Sequence, residues 1–320
     1  MTKLVIQIPC YNEEDTLGIT LSALPRRVVG VDTVEWLMVD DGSADRTVEV
    51  GKAHGVDHII RFPRHLGLAR AFMAGLEASL KAGADIIVNL DADNQYCADD
   101  IPKLIAPILS GMAEIVVGTR PISEMKHFSL TKRLLNNLGS RMVCFASKTD
   151  IPDAPSGFRA MSRDAAMRLN VFNEYTYTLE TIIQAGQKGV AIASVPIRIN
   201  EDLRPSRLVK SIPHYILRSI STIVRIFMTY RPFRFFAIPG FVSFGLGLLI
   251  SFRFLYFYFT RPSSGHIQSL ILAALLLGTG FFLGVIGLLA DLVSVNRKLL
   301  ENIGWRVQKI EEKIGKKNHG

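Results

Sequence analysis

The strongest constraint on the fold comes from two almost wholly apolar stretches late in the chain, residues 235–259 and 267–289, separated only by "TRPSSGH". Each stretch is longer than the ~20 residues that a helix needs to cross the hydrocarbon core of a membrane. Two buried core helices are the alternative, but soluble core helices seldom run this long without polar positions. The pattern therefore predicts a two-helix transmembrane hairpin within residues 233–292.

Basic residues on either side of these stretches predict how the hairpin is oriented. The connecting turn offers Arg261 alone, whereas both outer flanks are rich in positive charge. These flanking residues are Arg218, Arg225, Arg231, Arg234, Arg297, Lys298, Arg306 and Lys309. Positive residues stay on the cytoplasmic side. We therefore expect a multi-pass protein of the cytoplasmic (inner) membrane, with both ends inside and a basic tail over residues 293–320.

The segment 206–232, just before the hairpin, has its own pattern. Apolar residues recur at helical spacing from Ile212 to Phe227, while Arg218 and Arg225 fall off that stripe. This pattern is typical of an amphipathic helix in the membrane interface, with basic residues attracted to anionic head groups. A helix packed on a soluble domain is the alternative.

Residues 1–205 alternate between short apolar runs and helix-like segments. The runs read "LVIQI", "WLMVD", "HIIRF", "DIIVNL" and "EIVVG". This alternation predicts an α/β domain whose mostly parallel sheet is covered by helices on both faces. Ligands of such sheets bind at the carboxyl ends of the strands. Polar clusters stand at those ends here: "PCYNEE", "DDGSAD" and "DADNQY" follow the first, second and fourth runs.

The third cluster places Asp91 and Asp93 one residue apart, directly after an apolar run. Two carboxylates that turn into one crevice repel each other, and a divalent cation between them relieves that repulsion. Hard oxygen ligands suit Mg²⁺ or Mn²⁺, and phosphate oxygens and water usually complete the shell of these ions. The pair therefore indicates a Mg²⁺ or Mn²⁺ site that meets a phosphorylated ligand.

Five motifs in order, "IPCYNEEDTL", "VDDGSADRT", "HLGLARAFMAGLEAS", "LDADNQY" and "SGFRAMSR", resemble the family 2 glycosyltransferases of the GT-A fold. Within that family the sequence is most similar to the dolichol-phosphate mannosyltransferase and polyprenyl-phosphate glycosyltransferase group. The resemblance implies a nucleotide-sugar-binding domain that transfers a sugar from a UDP- or GDP-linked donor to a polyprenyl phosphate. It also implies a homo-oligomer, such as a tetramer.

The resemblance assigns the donor site to residues at the strand ends: Pro9, Tyr11, Glu13, Val39, Asp41, Asp91, Ala92 and Asp93. Asp41, with Val39 beside it, would contact the base. Asp91, Asp93 and Gln95 would hold the metal that bridges the donor diphosphate. Ordinary structural roles stay open for some of these side chains, with Tyr11 as strand-end packing and Asp40 and Asp45 as turn and helix caps.

The resemblance assigns catalysis to Asp91, Asp93, Arg120 and Arg133, and it assigns the acceptor to Arg133, Ser156 and Arg159. The charge and placement of Arg204, Arg207 and Lys210, ahead of most of the segment 206–232, indicate that they bind the acceptor phosphate as well. One departure concerns the loop "NEDLRPSRLVKS", where relatives commonly carry an Arg, a Gly and then Ser-Lys. Glu201 stands in place of that first Arg, and Ser206-Arg207 replaces Ser-Lys. Either Arg204 or Lys210 would supply the missing charge.

General chemistry supports this interpretation. A phosphomonoester is largely dianionic at neutral pH, so such an acceptor needs steering cations more than a base. Direct in-line attack by its oxygen inverts the anomeric carbon.

Competing classes of protein would carry other motifs. A processive synthase would carry Q-x-x-R-W, which is absent from the sequence, and an oxidoreductase would carry G-x-G-x-x-G where "PCYNEE" stands. Another lipid or glycan acceptor, or a non-catalytic nucleotide-sugar-binding partner, stays open. The net charge of +8 does not indicate nucleic-acid binding, because much of the excess flanks the predicted spans.

Overall fold

The computed structural model describes residues 1–121, 151–171, 177–201, 228–260 and 267–318, with residues 144, 147, 149, 221, 224 and 225. The chain divides into two compact units, Met1–Ser219 with Trp305–Gly320, and Ile220–Gly304. Four predicted site residues lie outside the described residues: Arg133, Arg204, Arg207 and Lys210. Most of the amphipathic helix predicted for 206–232 also lies outside them, so this helix and the domain limits drawn from the sequence stay predictions.

The described part of the first unit contains a seven-stranded sheet with the order β3-β2-β1-β4-β6-β5-β7. Its strands are β1 (Lys3–Cys10), β2 (Thr33–Asp40), β3 (His58–Arg61), β4 (Ile86–Asn89), β5 (Ile115–Thr119), β6 (Arg159–Ser162) and β7 (Ile192–Pro196). All pairings are parallel except those of β6 with β4 and β5. The predicted mostly parallel α/β sheet is therefore confirmed, with one antiparallel strand inserted between β4 and β5.

Helices connect these strands. They are α1 (Leu17–Ala23), α2 (Thr47–Ala53), α3 (Leu68–Lys81), α4 (Ile101–Leu109), α5 (Arg163–Arg168) and α6 (Thr178–Gln187). The longest of them, α3, buries Ala69, Phe72, Leu76 and Ser79, which recur every three or four residues and so share one helical face. A Cβ atom on Gly75 of α3 would lie 2.6 Å from Gln7 Oε1, so this glycine permits a close approach of the helix to β1.

The central strands form the core of the sheet. Leu4, Ile6 and Ile8 of β1 are fully buried, and Val5 on the opposite face is buried as well. A strand covered on both faces reads as a continuous apolar run, which is why "LVIQI" lacks alternation. Burying each of these large aliphatic side chains contributes about 1.5–3 kcal/mol. This rigid core fixes the positions of the strand ends where the polar clusters begin.

The second unit contains α7 (Pro232–Thr260) and the first part of α8 (Ile267–Asn318). Both helices are long and apolar enough to cross a membrane, and only 11% and 17% of their most apolar windows are buried. Such exposure distinguishes them from the core helices of a soluble protein. The helix α8 continues through the segment 293–318, which the sequence predicted only as a basic tail.

Small residues bring α7 and α8 together in antiparallel contact. A Cβ atom on Gly280 would lie 2.7 Å from the carbonyl oxygen of Gly240, so the two backbones nearly touch there. Seven residues further along α7, Gly247 lies against Ala273 and Leu277 of α8. Close backbone approach through glycine is typical of helices that pack within lipid. The two helices therefore pack as a hairpin, as the sequence predicted.

Candidate active site

The carboxyl ends of β2, β1 and β4 lie side by side, and the loops that follow β1 and β2 interlock. The backbone N–H of Asn12 donates to Ser43 Oγ at 2.9 Å, and that of Ala44 donates back to Asn12 Oδ1 at 2.9 Å. The N–H of Glu13 donates to Thr47 Oγ1 at 2.8 Å. The clusters "PCYNEE" and "DDGSAD" thus contact each other directly, as expected from their positions after neighbouring strands.

The side chains predicted to hold the nucleotide differ in exposure. Pro9 and Val39 are buried partners in the β1–β2 ladder. Tyr11 is 40% exposed, and its ring stacks on that of His65 with centroids 4.0 Å apart. His65 was not assigned a site role from the sequence, because histidines scattered along a chain carry no pattern. The stack nevertheless puts two aromatic rings at the mouth of the predicted donor site.

Asp41 is buried and makes internal contacts. Its carboxylate accepts hydrogen bonds from the N–H groups of Leu66 and Gly67 at 2.7 and 2.9 Å, and it lies 2.9 Å from His65 Nδ1. A Cβ atom on the adjacent Gly42, whose φ is +74°, would lie 2.5 Å from the carbonyl carbon of Arg64. Asp41 therefore organises the loop after β3, and its contact with a base stays a prediction.

Two acidic residues on either side of Asp41 in the sequence, Asp40 and Asp45, bind the backbone of a turn and of a helix start, the roles that the sequence left open for them. Asp40 Oδ1 accepts the N–H of Ser43 at 3.1 Å, which closes the turn after β2. Asp45 Oδ1 accepts the N–H of Thr47 at 3.0 Å, at the start of α2. These bonds satisfy backbone donors that would otherwise have no partner at a turn and at a helix N-terminus.

Asp91 and Asp93 follow β4, which lies at the centre of the sheet. Desolvation, and after it the negative charge of Asp93, raises the pKa of Asp91 to about 7, although the nearby charges of Arg120 and Arg159 lower it in part. The Asp93 carboxylate accepts the backbone N–H of Gln95 at 3.1 Å, which turns the loop there. The surroundings of Asp91 thus disfavour its ionised form, although two arginines offset this in part.

These residues fit a divalent cation of the Mg²⁺ or Mn²⁺ type. Desolvation and the charge of Asp93 raise the pKa of Asp91, and a cation bound beside it would favour its ionised form. Across the described residues, no group of three or more His, Cys, Asp or Glu side chains forms a complete cage for a metal. Mg²⁺ is ordinarily held through one or two carboxylates, with substrate phosphates and water filling the remaining positions. The roles of Asp91, Asp93 and Gln95 as ligands stay predictions.

Gly157 forms the wall of this acidic site. A Cβ atom built on it would lie 2.5 Å from Asp91 Oδ2, so no larger residue leaves the carboxylate where it is. The N–H of Gly157 donates to Tyr96 Oη at 3.0 Å, and its carbonyl oxygen accepts from Asn89 Nδ2 at 3.0 Å. Neither Asn89 nor Tyr96 was assigned a site role from the sequence, although both flank the acidic motif.

Arg120 is the predicted catalytic cation that the structure does describe. It follows β5, is 11% exposed, and donates to Asp153 through Nε at 2.8 Å and through a terminal nitrogen at 2.9 Å. This two-point geometry fixes the guanidinium plane. The charge of Arg120 acts on Asp91 and favours its ionised form. Arg120 therefore lies within electrostatic reach of the acidic pair, and its contact with a ligand stays a prediction.

Arg159, assigned to the acceptor from the sequence, is fully buried in β6. Its guanidinium donates to the carbonyl oxygens of Thr178, Ala154 and Ser156. These bonds tie the loop before β6 to the start of α6. Ser156 is fully buried as well. These hydrogen bonds to backbone carbonyl groups stabilise the fold around Arg159, and its acceptor role stays a prediction.

The fold and these strand-end side chains define an α/β domain with a pair of acidic residues after the central strand of its sheet. The family model described as "Glycosyl transferase family 2" matches residues 5–169. The chain belongs to this family and is a glycosyltransferase with a GT-A-like fold. The resemblance read from the five motifs is confirmed.

Two curated relatives act on lipid phosphates, by their names. The UDP-N-acetylglucosamine–dolichyl-phosphate N-acetylglucosaminyltransferase of Methanococcus voltae is 32% identical over 216 residues, covering 60% of this chain and 83% of the relative. The undecaprenyl-phosphate mannosyltransferase of Micrococcus luteus is 27% identical over 204 residues, covering 61% and 82%. Together with the exposed apolar helices, these relatives indicate a membrane-bound protein.

A solved structure supports the fold. The glucosyl-3-phosphoglycerate synthase of Mycobacterium tuberculosis, crystallised with Mn²⁺, UDP and phosphoglyceric acid, matches with a TM-score of 0.54 at 20% identity. The match covers 69% of this chain and 78% of that chain. At this identity the likeness shows that the two proteins share a fold.

Proposed function

We propose that this protein transfers a sugar from a UDP- or GDP-linked donor to a polyprenyl phosphate at the cytoplasmic face of the membrane. The reaction depends on Mg²⁺ or Mn²⁺ and inverts the anomeric carbon. Two relatives named for transfer to dolichyl and undecaprenyl phosphate support the acceptor class. The paired apolar helices support it as well, because a polyprenyl tail keeps its phosphate at the membrane surface.

The observation that carries this proposal is the Asp91 carboxylate, placed after the central strand and beside Asp93 with its pKa raised to about 7. Two carboxyl groups at the ligand end of a sheet are suited to a cation that also contacts a diphosphate. Asp91 and Asp93 would hold a divalent ion there, which would supply positive charge against the leaving nucleoside diphosphate. The fold of the Mn²⁺- and UDP-containing neighbour agrees with this assignment.

The protein's own residues hold and orient the reactants. The buried contacts of Gly157 with Asn89 and Tyr96 keep the wall of the site fixed against Asp91. Arg120, whose guanidinium is oriented by two hydrogen bonds to Asp153, places positive charge near the donor phosphates. Because the acceptor phosphate is largely dianionic at neutral pH, its oxygen attacks without a protein base to remove a proton.

The acceptor phosphate is assigned to cations ahead of the membrane segment. Arg204, Arg207 and Lys210 precede most of the segment 206–232, which we propose lies in the membrane interface. A guanidinium binds a phosphate dianion at two points, which favours Arg207 as the anchor. Both ends of the chain are cytoplasmic in this proposal, and the protein assembles as a homo-oligomer.

The test is a screen of UDP- and GDP-linked sugars against one polyprenyl phosphate, using the full chain in detergent. Released nucleotide and lipid-linked sugar are both measured, with the Asp93→Asn variant as the inactive control. The proposal predicts that nucleotide release requires the lipid and that each turnover yields one lipid product. Nucleotide release that is independent of the lipid, or a sugar found on another acceptor, would contradict it.

A further inference from the structure

The acidic loop Asp91–Tyr96 is held from a second side by the segment Ile197–Asn200, which follows β7. The N–H of Asn200 donates to the carbonyl oxygen of Gln95 at 2.9 Å, and the N–H of Cys97 donates to that of Arg198 at 3.3 Å. Tyr96 and Ile199 form an antiparallel bridge between these two bonds. The loop thus runs alongside the 197–200 segment, although about a hundred residues separate them in sequence.

The Asn200 side chain adds a contact that the backbone does not supply. Its Nδ2 donates to the carbonyl oxygen of Asn94 at 2.9 Å and lies 3.3 Å from that of Tyr96. Asn94 has a φ of +58°, in the left-handed region that few residues other than glycine adopt. The carboxamide of Asn200 therefore binds the turn that lies between Asp93 and Gln95.

An ion pair anchors the 197–200 segment itself. Arg198 donates to Asp100 through its backbone N–H at 2.7 Å and through a terminal nitrogen of its guanidinium at 2.9 Å. The Asp100 carboxylate is fully buried and also pairs with Lys103 at 2.8 Å. Because Arg198 is fixed in this way, Asn200 approaches the acidic loop from a rigid support.

We infer that Asn200 is a positioning residue for the metal-binding loop, because its carboxamide holds the left-handed turn at Asn94 and so sets the spacing of Asp93 and Gln95. Residues that orient metal ligands from outside the coordination shell affect metal affinity without touching the ion. The inference rests on the proposed function for the identity of the ion. The segment that bears Asn200 thus contacts the acidic loop, and the proposed acceptor cations follow this segment in the sequence.

Two variants test the donor role of the carboxamide. Asn200→Asp keeps the shape of the side chain but replaces the N–H donor with an acceptor that faces two carbonyl oxygens. Asn200→Ser is shorter and keeps one donor, so it serves as the milder change. Asn170→Ala is the matched control, because Asn170 is exposed and the hydrogen bonds described for it are made by its backbone.

The primary measurement is Mn²⁺ binding to the full chain, followed through the electron paramagnetic resonance of free Mn²⁺, with UDP or GDP present. We expect the dissociation constant for Mn²⁺ to rise about tenfold or more in Asn200→Asp, less in Asn200→Ser, and not at all in Asn170→Ala. Excess Mn²⁺ should restore turnover, and the unfolding temperature should stay close to that of the wild type.

The outcomes separate the inference from the proposed function. Wild-type Mn²⁺ affinity in Asn200→Asp overturns the inference. Lost Mn²⁺ binding that follows loss of folded protein in both Asn200 variants also overturns it, since Asn200 would then be merely structural. A wild-type protein that binds Mn²⁺ but transfers no sugar to polyprenyl phosphate overturns the proposed function alone, because the affinity comparison still decides the role of Asn200.

Discussion

The carboxylate of Asp91 lies directly against the backbone of Gly157, so that a methyl group on this glycine would be 2.5 Å from Asp91 Oδ2. Asp91 follows β4 and Gly157 precedes β6, and these two strands are antiparallel neighbours. The contact therefore follows from the insertion of β6 into an otherwise parallel sheet. It makes the backbone of one segment the support for an acidic side chain of another.

Gly157→Ala should impair catalysis more than folding. The added methyl group must push the Asp91 carboxylate aside, and a displacement of about 1 Å at a reacting centre can cost about 100-fold in rate. We expect kcat to fall by about that factor, with little change in the unfolding temperature. Gly18→Ala is the control, because its methyl group would meet only side chains, the nearest being the His54 ring at 3.2 Å. Equal activity in both variants would refute the assigned contact.

Asp93→Asn should remove metal-dependent catalysis while the fold persists. A neutral amide cannot replace the charge that holds the cation against the diphosphate, and the loss of several kcal/mol of stabilisation corresponds to about 100-fold or more in kcat. Turnover is measured across a Mn²⁺ titration, with Asp32→Asn, at the opposite end of the sheet, as the control. Unchanged turnover in Asp93→Asn, or full wild-type activity in excess chelator, would contradict the proposed metal site.

Asp100→Asn should reduce stability in a pH-dependent way. Burial would raise the pKa of Asp100, but hydrogen bonds from Arg198 and Lys103 outweigh it and lower the pKa to about 2. A folded-state pKa below the unfolded value of about 3.9 stabilises the protein above about pH 4, and this stabilisation is lost as the pH falls toward 2. Because Arg198 is 58% exposed, we expect a loss on the order of 1 kcal/mol at pH 7.

The measurement for Asp100 is the free energy of unfolding of the variant and the wild type between pH 7 and pH 2.5. The difference should be largest at neutral pH and shrink toward the acid end. Asp99→Asn is the matched control, because Asp99 is 79% exposed and lies 4.0 Å from the same guanidinium. A stability difference that does not change with pH would show that the ion pair is not its source.

Arg207→Ala should weaken capture of the lipid phosphate and leave the donor site intact. Loss of one charge-assisted contact predicts a rise of about tenfold in the KM for polyprenyl phosphate. Donor affinity, titrated calorimetrically, should match that of the wild type, and Arg207→Lys should fall between the two because it keeps only a point charge. A variant with reduced donor affinity and an unaltered KM for the lipid would move Arg207 to the donor site.

The topology predicts that the turn around Ser264 faces the outside. A cysteine introduced by Ser264→Cys should react with an impermeant thiol reagent in intact cells, because the turn carries Arg261 alone while both outer flanks are basic. A cysteine introduced by Asn318→Cys should react only after the cells are permeabilised. The reverse labelling pattern would invert the orientation.

The sequence by itself determined the class of the protein. Periodicity is a local property, so alternating apolar runs predicted a mostly parallel sheet, and two long apolar stretches predicted the paired helices α7 and α8. Because parallel strands end at one edge of the sheet, the order of the runs sufficed to place the polar clusters after β1, β2 and β4 together. The order of the five motifs identified the family.

Only the tertiary structure shows which contacts these side chains make within the protein. Asp41 and Arg159 carry the charges expected of ligand contacts, and in the structure both are buried and hydrogen-bonded to backbone groups. Gly157 and Asn200 carry no charge, yet both lie against the acidic loop. The pairing of β6 with β4 brings Gly157 to Asp91, and the 197–200 segment brings Asn200 to Asn94. Residue type and spacing encode local conformation, whereas these roles depend on contacts between segments far apart in sequence and on the burial that packing produces.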